Sequence, residues 1–183
     1  QMCIRDRLWY PDETIQHAGI VTGLGGYAGH SHKYKKKGGS GYLFRTSTVQ
    51  DFSGVTGACL LVKTAVYDEM HGLDEQFAVA FNDVDFCLRV RDAGYRIAWT
   101  PYAELIHYES KSRGGDEKDP VKAARFAAEQ QRLYTIHGKE NILDDPYYNP
   151  NLTRDREDFS ESDDLRRLKE GRVTVRFRGG TLQ

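Results

Sequence analysis

Residues 82–110 read NDVDFCLRVRDAGYRIAWTPYAELIHYES, and this stretch decides the fold class. Val84, Cys87, Leu88 and Arg91 follow the i, i+3, i+4, i+7 spacing of a helix face, with the arginine at its margin. The spacing predicts a helix that starts at Asn82 or Asp83 and stops before Gly94. Beyond the glycine, RIAWT and AELIH have the composition of two short strands, broken by Pro101. Asp83 and Asp85 at a helix start have an ordinary use as caps and dipole partners, together worth about 1–2 kcal/mol. His107, alone at a strand end, has an equally ordinary structural use.

Working outward, LWYPDETIQHAGIVTG reads as short strands with a turn at Pro11-Asp12. From Gly23 to Gly41 the text is rich in glycine, lysine and histidine, which predicts a mobile loop that orders over bound substrate as a lid. GVTGACLLVK, residues 54–63, has the continuous apolar run of a strand buried on both faces. A short helix follows, with Thr64 as its N-cap and Gly72 as its stop. A longer one runs from Pro120 to Gly138, capped by Asp119. Strands alternating with helices give an α/β class. Three parts are expected: residues 1–7 as a non-native leader, 8–140 as the folded portion, and 141–183 as a polar C-terminal arm.

Composition narrows the function classes. Twenty-six basic against 27 acidic residues leave a net charge of −1, which predicts no nucleic-acid partner. No apolar run reaches membrane-spanning length. Of the three cysteines, Cys59 and Cys87 read as buried, reduced thiols. That fits the cytoplasm, with peripheral association at the inner face of the membrane left open.

Several tempting signals fail on context. GLGGYA, residues 23–28, matches the dinucleotide fingerprint, but GHSHKYKKKGG follows it where a helix is required. His30 and His32 form an H-x-H pair without further ligands nearby, and read as solvated loop residues. Lysines 35 to 37 read as a solvated run. Asn151-Leu152-Thr153 fits a glycosylation acceptor, which a cytoplasmic protein would not use.

Taken in order, the blocks from Gly54 to Ser112 resemble the C-terminal half of the catalytic domain of family 2 glycosyltransferases. GVTGACLLVK is similar to that family's central strand, and GLDEQFAVAFNDVDFCLRVRDAGYRIAWTP to its G-[FL]-D-E turn and acidic helix start. AELIHYESKS is similar to the segment carrying a late histidine. YPDETIQHAGIV and DPYYNPNLTRDREDF extend the likeness, the latter toward rhamnosyltransferase-like members, so that it covers Leu8 to Phe159. The resemblance implies a GT-A-like fold, incomplete here because the N-terminal nucleotide-binding half with its Asp-x-Asp motif would lie upstream.

The resemblance also implies a chemistry: inverting transfer of a sugar from a nucleotide-diphospho-sugar donor to a glycan or lipid-linked glycan acceptor, in bacterial cell-surface polysaccharide synthesis. Carried over residue by residue, Asp83 is the catalytic base, and Thr56, Gly57, Ala58, Asp74 and Asn82 are substrate-binding. His107 is a ligand for a divalent cation, Mg2+ or Mn2+. Many relatives carry an acidic residue where this chain has Asn82. Asp85, two residues on, points about 200° from Asp83 on a helix and reads as a structural partner for an arginine or backbone amide. Two alternatives stand beside this reading: a metal-dependent phosphoesterase using Asp83, Asp85 and His107 together, and a non-catalytic carbohydrate-binding module of the same fold.

Overall fold

A mixed sheet runs through the computed structural model, which describes residues 3–108, 119–163, 176–177 and 180–181. At its centre β1 (Cys3–Trp9) pairs in parallel with β7 (Ile97–Ile106). The other edge of β1 is shared by β6 (Leu61–Val62) at one end and β2 (Ile15–His17) at the other, both antiparallel. The free side of β7 takes β5 (Gln50–Asp51). A separate hairpin is formed by β3 (Ile20–Thr22) and β4 (Ala28–His30). The helices are α1 (Thr64–Glu69), α2 (Asn82–Asp92), α3 (Pro120–His137) and α4 (Lys139–Leu143). A small pair, β8 (Arg176–Phe177) and β9 (Gly180–Thr181), follows.

The helix ends fall where the local chemistry puts them. α2 begins at Asn82, and Gly94 sits just beyond it at φ 86. Val84, Cys87 and Leu88 are buried as the spacing requires, together with Phe86 and Val90. At α3, Asp119 accepts a hydrogen bond from the Val121 N–H at 2.9 Å with proline at the first helical position. α1 starts at Thr64 itself, its expected cap, so that Lys63 takes the cap position, with no side-chain cap bond.

Several expectations need correction. Pro101 does not break the strand: β7 runs through it, and the register against β1 shifts between Arg5 and Arg7, so the missing N–H falls within a bulge. GVTGACLLVK is not one continuous buried strand. Gly54 and Val55 are buried beside Ile20, but the chain then turns outward at Gly57-Ala58 and returns only briefly as β6. Cys87 is buried against the Val55 carbonyl, whereas Cys59, in that turn, is half-buried. Residues 141–163 do not form a loose arm. Tyr148, Leu152 and Phe159 enter the core beside Trp9, Phe52 and Trp99, and Asp145 accepts from the Thr22 N–H at 2.7 Å. Burial pushes the Asp145 carboxyl up, against the lowering effect of its bonds from Tyr147 and Thr22. The remainder of the arm, except 176–177 and 180–181, and the block end at 109–112 lie outside the described residues. The residues read as a leader form, from Cys3 onward, the greater part of β1.

A further correction is the loop from Gly23 to Gly41, which is packed over much of its length. Leu24, Ser31 and His32 are buried, while the lysines 35 to 37 are exposed as expected. The H-x-H pair is not solvated. His32 stacks on Phe159 at 4.1 Å, and its Nε2 accepts from the Tyr42 N–H at 3.0 Å. The proton of the neutral ring therefore sits on Nδ1, 2.6 Å from the Ser31 hydroxyl. His17 Nε2 accepts from the Gly19 N–H, so its Nδ1 donates to His30 Nδ1 at 2.9 Å.

Burial, assisted by Lys35 and Arg45, lowers the His32 pKa from 6.5 to about 3. The folded protein keeps the ring neutral while the unfolded chain binds a proton below pH 6.5. Stability from this site is complete above that pH and falls as pH drops toward 3, at most by roughly 1.4 kcal/mol per unit. Urea unfolding of wild type and His32→Asn between pH 7.5 and 4.5 checks this. The substitution should flatten the wild-type pH slope, and parallel slopes would contradict the assignment.

Candidate active site

The start of α2 is fixed from both sides. Phe81, immediately before it, adopts φ 63, a left-handed conformation costly for an aromatic residue. Glu129 on α3 is buried and accepts from the Val79 and Ala80 N–H groups at 3.3 and 2.6 Å, which pins the segment leading into Phe81. Further along α3, Arg132 pairs with Asp74 at 2.5 Å, and His137 Nε2 meets Asp85 Oδ1 at 2.8 Å. One helix thus grips residues 74–85 at three points.

Asp83 emerges from this clamp half-buried. Its Oδ2 accepts from the Gly57 N–H at 2.6 Å, and its Oδ1 accepts from the Val84 N–H at 2.8 Å. Asn82 Oδ1 accepts from the Asp83 N–H at 2.7 Å. A carboxylate offers about four lone-pair sites, so two of these bonds orient Asp83 and leave acceptor capacity for a third donor. The structure therefore brings Asp83, Asn82, Gly57, Thr56 and Ala58 together. Thr56 Oγ1 lies 3.4 Å from the Ala58 N–H, and Gly57 and Ala58 are exposed. A Cβ at Gly57 would sit 3.5 Å from the Asp83 Cβ, so a larger residue fits only if it leaves this contact intact.

Asp85 has the opposite fate. Its side chain is 1 % exposed. Arg89 donates to it through Nε and Nη2 at 2.9 and 2.8 Å, and also donates to the Met70 and Gly72 carbonyls. Burial pushes the Asp85 carboxyl up, but the bonds from His137 and Arg89 outweigh it and hold the group below its ordinary value. Asp85 is the structural partner the helix geometry predicted, and the phosphoesterase arrangement of Asp83, Asp85 and His107 is not formed.

Two other expected residues lie apart from Asp83 in their bonding. Asp74 is engaged by Arg132, which with the Gln76 N–H holds its carboxyl below the usual range. His107 continues the β1–β7 ladder through its N–H to the Trp9 carbonyl at 2.9 Å. Its Nδ1 is buried without a hydrogen-bond partner among the described residues. No group of three or more His, Cys, Asp or Glu side chains among the described residues is arranged to hold a metal ion. His107 therefore contributes one donor nitrogen, and these side chains alone do not fit a divalent cation.

Two cavities of about 460 and 430 Å3 stand out, and Asp83 lines neither. The larger lies between the β3–β4 hairpin and residues 155–158, which the sequence reading passed over. The alternating charge of DREDF, ending in a core phenylalanine, was the available signal.

No protein-family model and no solved structure matches the chain. Among curated proteins it is 48% identical over 158 residues to an uncharacterized protein, y4gI, of Sinorhizobium fredii, covering 86% of this chain and 17% of that protein. It is 34% identical over 148 residues to the O-antigen biosynthesis protein RfbC of Myxococcus xanthus, covering 80% of this chain and 11% of that one. It is 32% identical over 80 residues to an N-acetylglucosaminyl-diphospho-decaprenol L-rhamnosyltransferase of Mycobacterium tuberculosis, covering 44% and 24% respectively. The chain spans less than a quarter of the length of each of these relatives.

Removing one member of a buried, bonded charge cluster leaves the others unpaired, which costs roughly 3–5 kcal/mol. Asp85→Ala should reduce stability by about that amount in urea unfolding, with Asp85→Asn less severe. Because the folded Asp85 pKa is depressed, its contribution is present above the unfolded carboxylate value and is lost as pH falls through the folded one. The mutant and wild-type unfolding curves should therefore converge in acid. A constant gap down to pH 2 would contradict this role.

Proposed function

We propose that this chain is the acceptor-side portion of an inverting glycosyltransferase with a GT-A-like fold, in which Asp83 is the general base. The observation that carries the reading is the contrast at the start of α2: Asp83 is aimed outward and held by two backbone N–H groups, while Asp85 is consumed in the core. The names of the relatives from Myxococcus and Mycobacterium support a glycosyltransferase of O-antigen or rhamnose-containing polysaccharide synthesis. The donor is a nucleotide-diphospho-sugar, and the acceptor a hydroxyl of a glycan or lipid-linked glycan. The nucleotide-binding half would come from the part of the longer protein that precedes this portion.

The acceptor hydroxyl donates its proton to Asp83 as its oxygen attacks the anomeric carbon. The bond from that carbon to the donor's phosphate oxygen breaks on the opposite face, and the electron pair leaves with the nucleoside diphosphate. Configuration inverts in one displacement. The exposed Gly57-Ala58 backbone beside Asp83 leaves room for a sugar to approach the carboxylate. A divalent cation, Mg2+ or Mn2+, would supply counter-charge for the diphosphate. It needs donors beyond the described residues, with His107 as its one contribution from this portion. Among the described residues no helix is long and apolar enough to cross a membrane. The proposed site of action is the cytoplasm, with peripheral association at the membrane where a lipid-linked acceptor would reside.

In the full-length protein, Asp83→Asn should preserve the fold and donor affinity yet lower single-turnover rate by about 10²–10⁴-fold. Asp85→Asn should shift the melting temperature more than the rate, and His107→Ala should raise the cation concentration needed for half-maximal rate. Wild-type turnover in Asp83→Asn would reduce Asp83 to a helix cap and end this reading.

A further inference from the structure

The larger cavity, about 460 Å3, is of a size with ordinary small-molecule sites. One wall is the β3–β4 hairpin and the other is residues 155–158. The two walls are fastened across their base. The Gly25 N–H donates to the Arg154 carbonyl at 2.8 Å, and the His30 N–H donates to Glu157 Oε1 at 3.2 Å. A Cβ on Gly29 would come within 2.8 Å of that same oxygen, so any side chain there would push Glu157 out of place.

Two tyrosines line the cavity, and both are held. Tyr34 is 63% exposed, adopts φ 64, and is fixed by its N–H to the Ile15 carbonyl and by stacking on Tyr10 at 5.5 Å. A strained backbone that presents a large aromatic side chain to solvent is a feature core packing does not require. Tyr27 meets Phe81 edge-on at 5.6 Å, and Phe81 directly precedes Asn82 and Asp83. The cavity wall therefore packs against the start of α2.

The charges select the ligand. Asp155, Glu157 and Asp158 line the cavity together with Arg156, which is bonded to Asp158 at 3.3 Å, and Lys33, which lies over the Tyr34 ring at 5.2 Å, a balance too acidic for phosphate and too ionic for an apolar molecule. The carboxylates are not arranged as a metal cluster. A neutral polyhydroxyl ligand suits both: carboxylates accept from adjacent hydroxyls, the cations donate, and aromatic surface covers the C–H face of a ring. We propose that this cavity binds a neutral sugar unit of a glycan. Its use as the seat of the acceptor chain rests on the glycosyltransferase reading; the binding itself does not.

The test is a titration of the isotope-labelled 183-residue chain with methyl α-L-rhamnopyranoside and with methyl N-acetyl-β-glucosaminide, followed by amide chemical shifts. Saturable shifts at Gly25, Gly29 and Glu157 with at least one glycoside are expected. Tyr34→Ala should weaken binding about tenfold and Glu157→Gln about fivefold, each with a wild-type circular dichroism spectrum. Asp83→Asn should bind as wild type. Non-saturable shifts, affinity unchanged in both cavity variants, or the same shifts produced by inorganic phosphate or Mn2+ alone would overturn the proposal. Normal turnover by Asp83→Asn alongside intact sugar binding would instead count only against Asp83 as the base.

Discussion

The grip of α3 on residues 74–85 is the constraint on which the candidate site depends. Glu129, Arg132 and His137 recur along one side of that helix and bind, in turn, the backbone before Phe81, the Asp74 carboxylate and the Asp85 carboxylate. Arg89 then extends the network from Asp85 to the carbonyls at the end of α1. Each contact is modest, and the set is cooperative because Asp85 serves two elements at once. With these bonds made, the first turn of α2 has one available direction. Asp83 inherits its aim from side chains that never approach a substrate.

Two aspartates separated by one residue illustrate how little residue type alone decides. Helical geometry sends one carboxylate to the surface turn at Gly57 and the other into the gap between α1 and α3. The inward one must be matched by Arg89 and His137, since a buried unpaired carboxylate would be several kcal/mol worse than a paired one. The outward one keeps spare lone pairs. The same pattern of matched burial recurs in the histidines, where backbone N–H groups take up the acceptor nitrogens of His17 and His32.

What the sequence revealed was local. The cap of α3, the start of α2, the glycine stops and the inward face at 84, 87 and 88 follow from short-range rules, and the structure reproduces them, whereas the cap position of α2 falls to Phe81 without a side-chain bond. The divergence of Asp83 and Asp85 was legible from helical pitch. What escaped depended on distant partners. Pro101 could stay in β7 because β7 bulges away from β1 there, and GVTG could turn outward because Asp83 waits for the Gly57 N–H. The polar run after residue 141 reads as solvated until Thr22 is seen to meet Asp145, and the H-x-H loop until Phe159 is found stacked on His32. Composition reports average polarity, and here the packing turned on a few placed side chains.

The parallel pairing of β1 with β7 has a kinetic consequence. Cys3 lies opposite Ile97, and Trp9 opposite Ile106, so the strand at the centre of the sheet has its longest partner at the far end of the intervening chain. Its antiparallel contacts with β2 and β6 are only two residue pairs each. Such non-local pairing delays assembly, because loop closure precedes the contacts that reward it. On a ribosome, β1 would emerge early and wait with an unsatisfied edge until β7 follows. The bulge at Pro101 then acquires a second use: as β7 emerges, its interrupted ladder makes it a poor template for a wrong neighbour before it reaches β1.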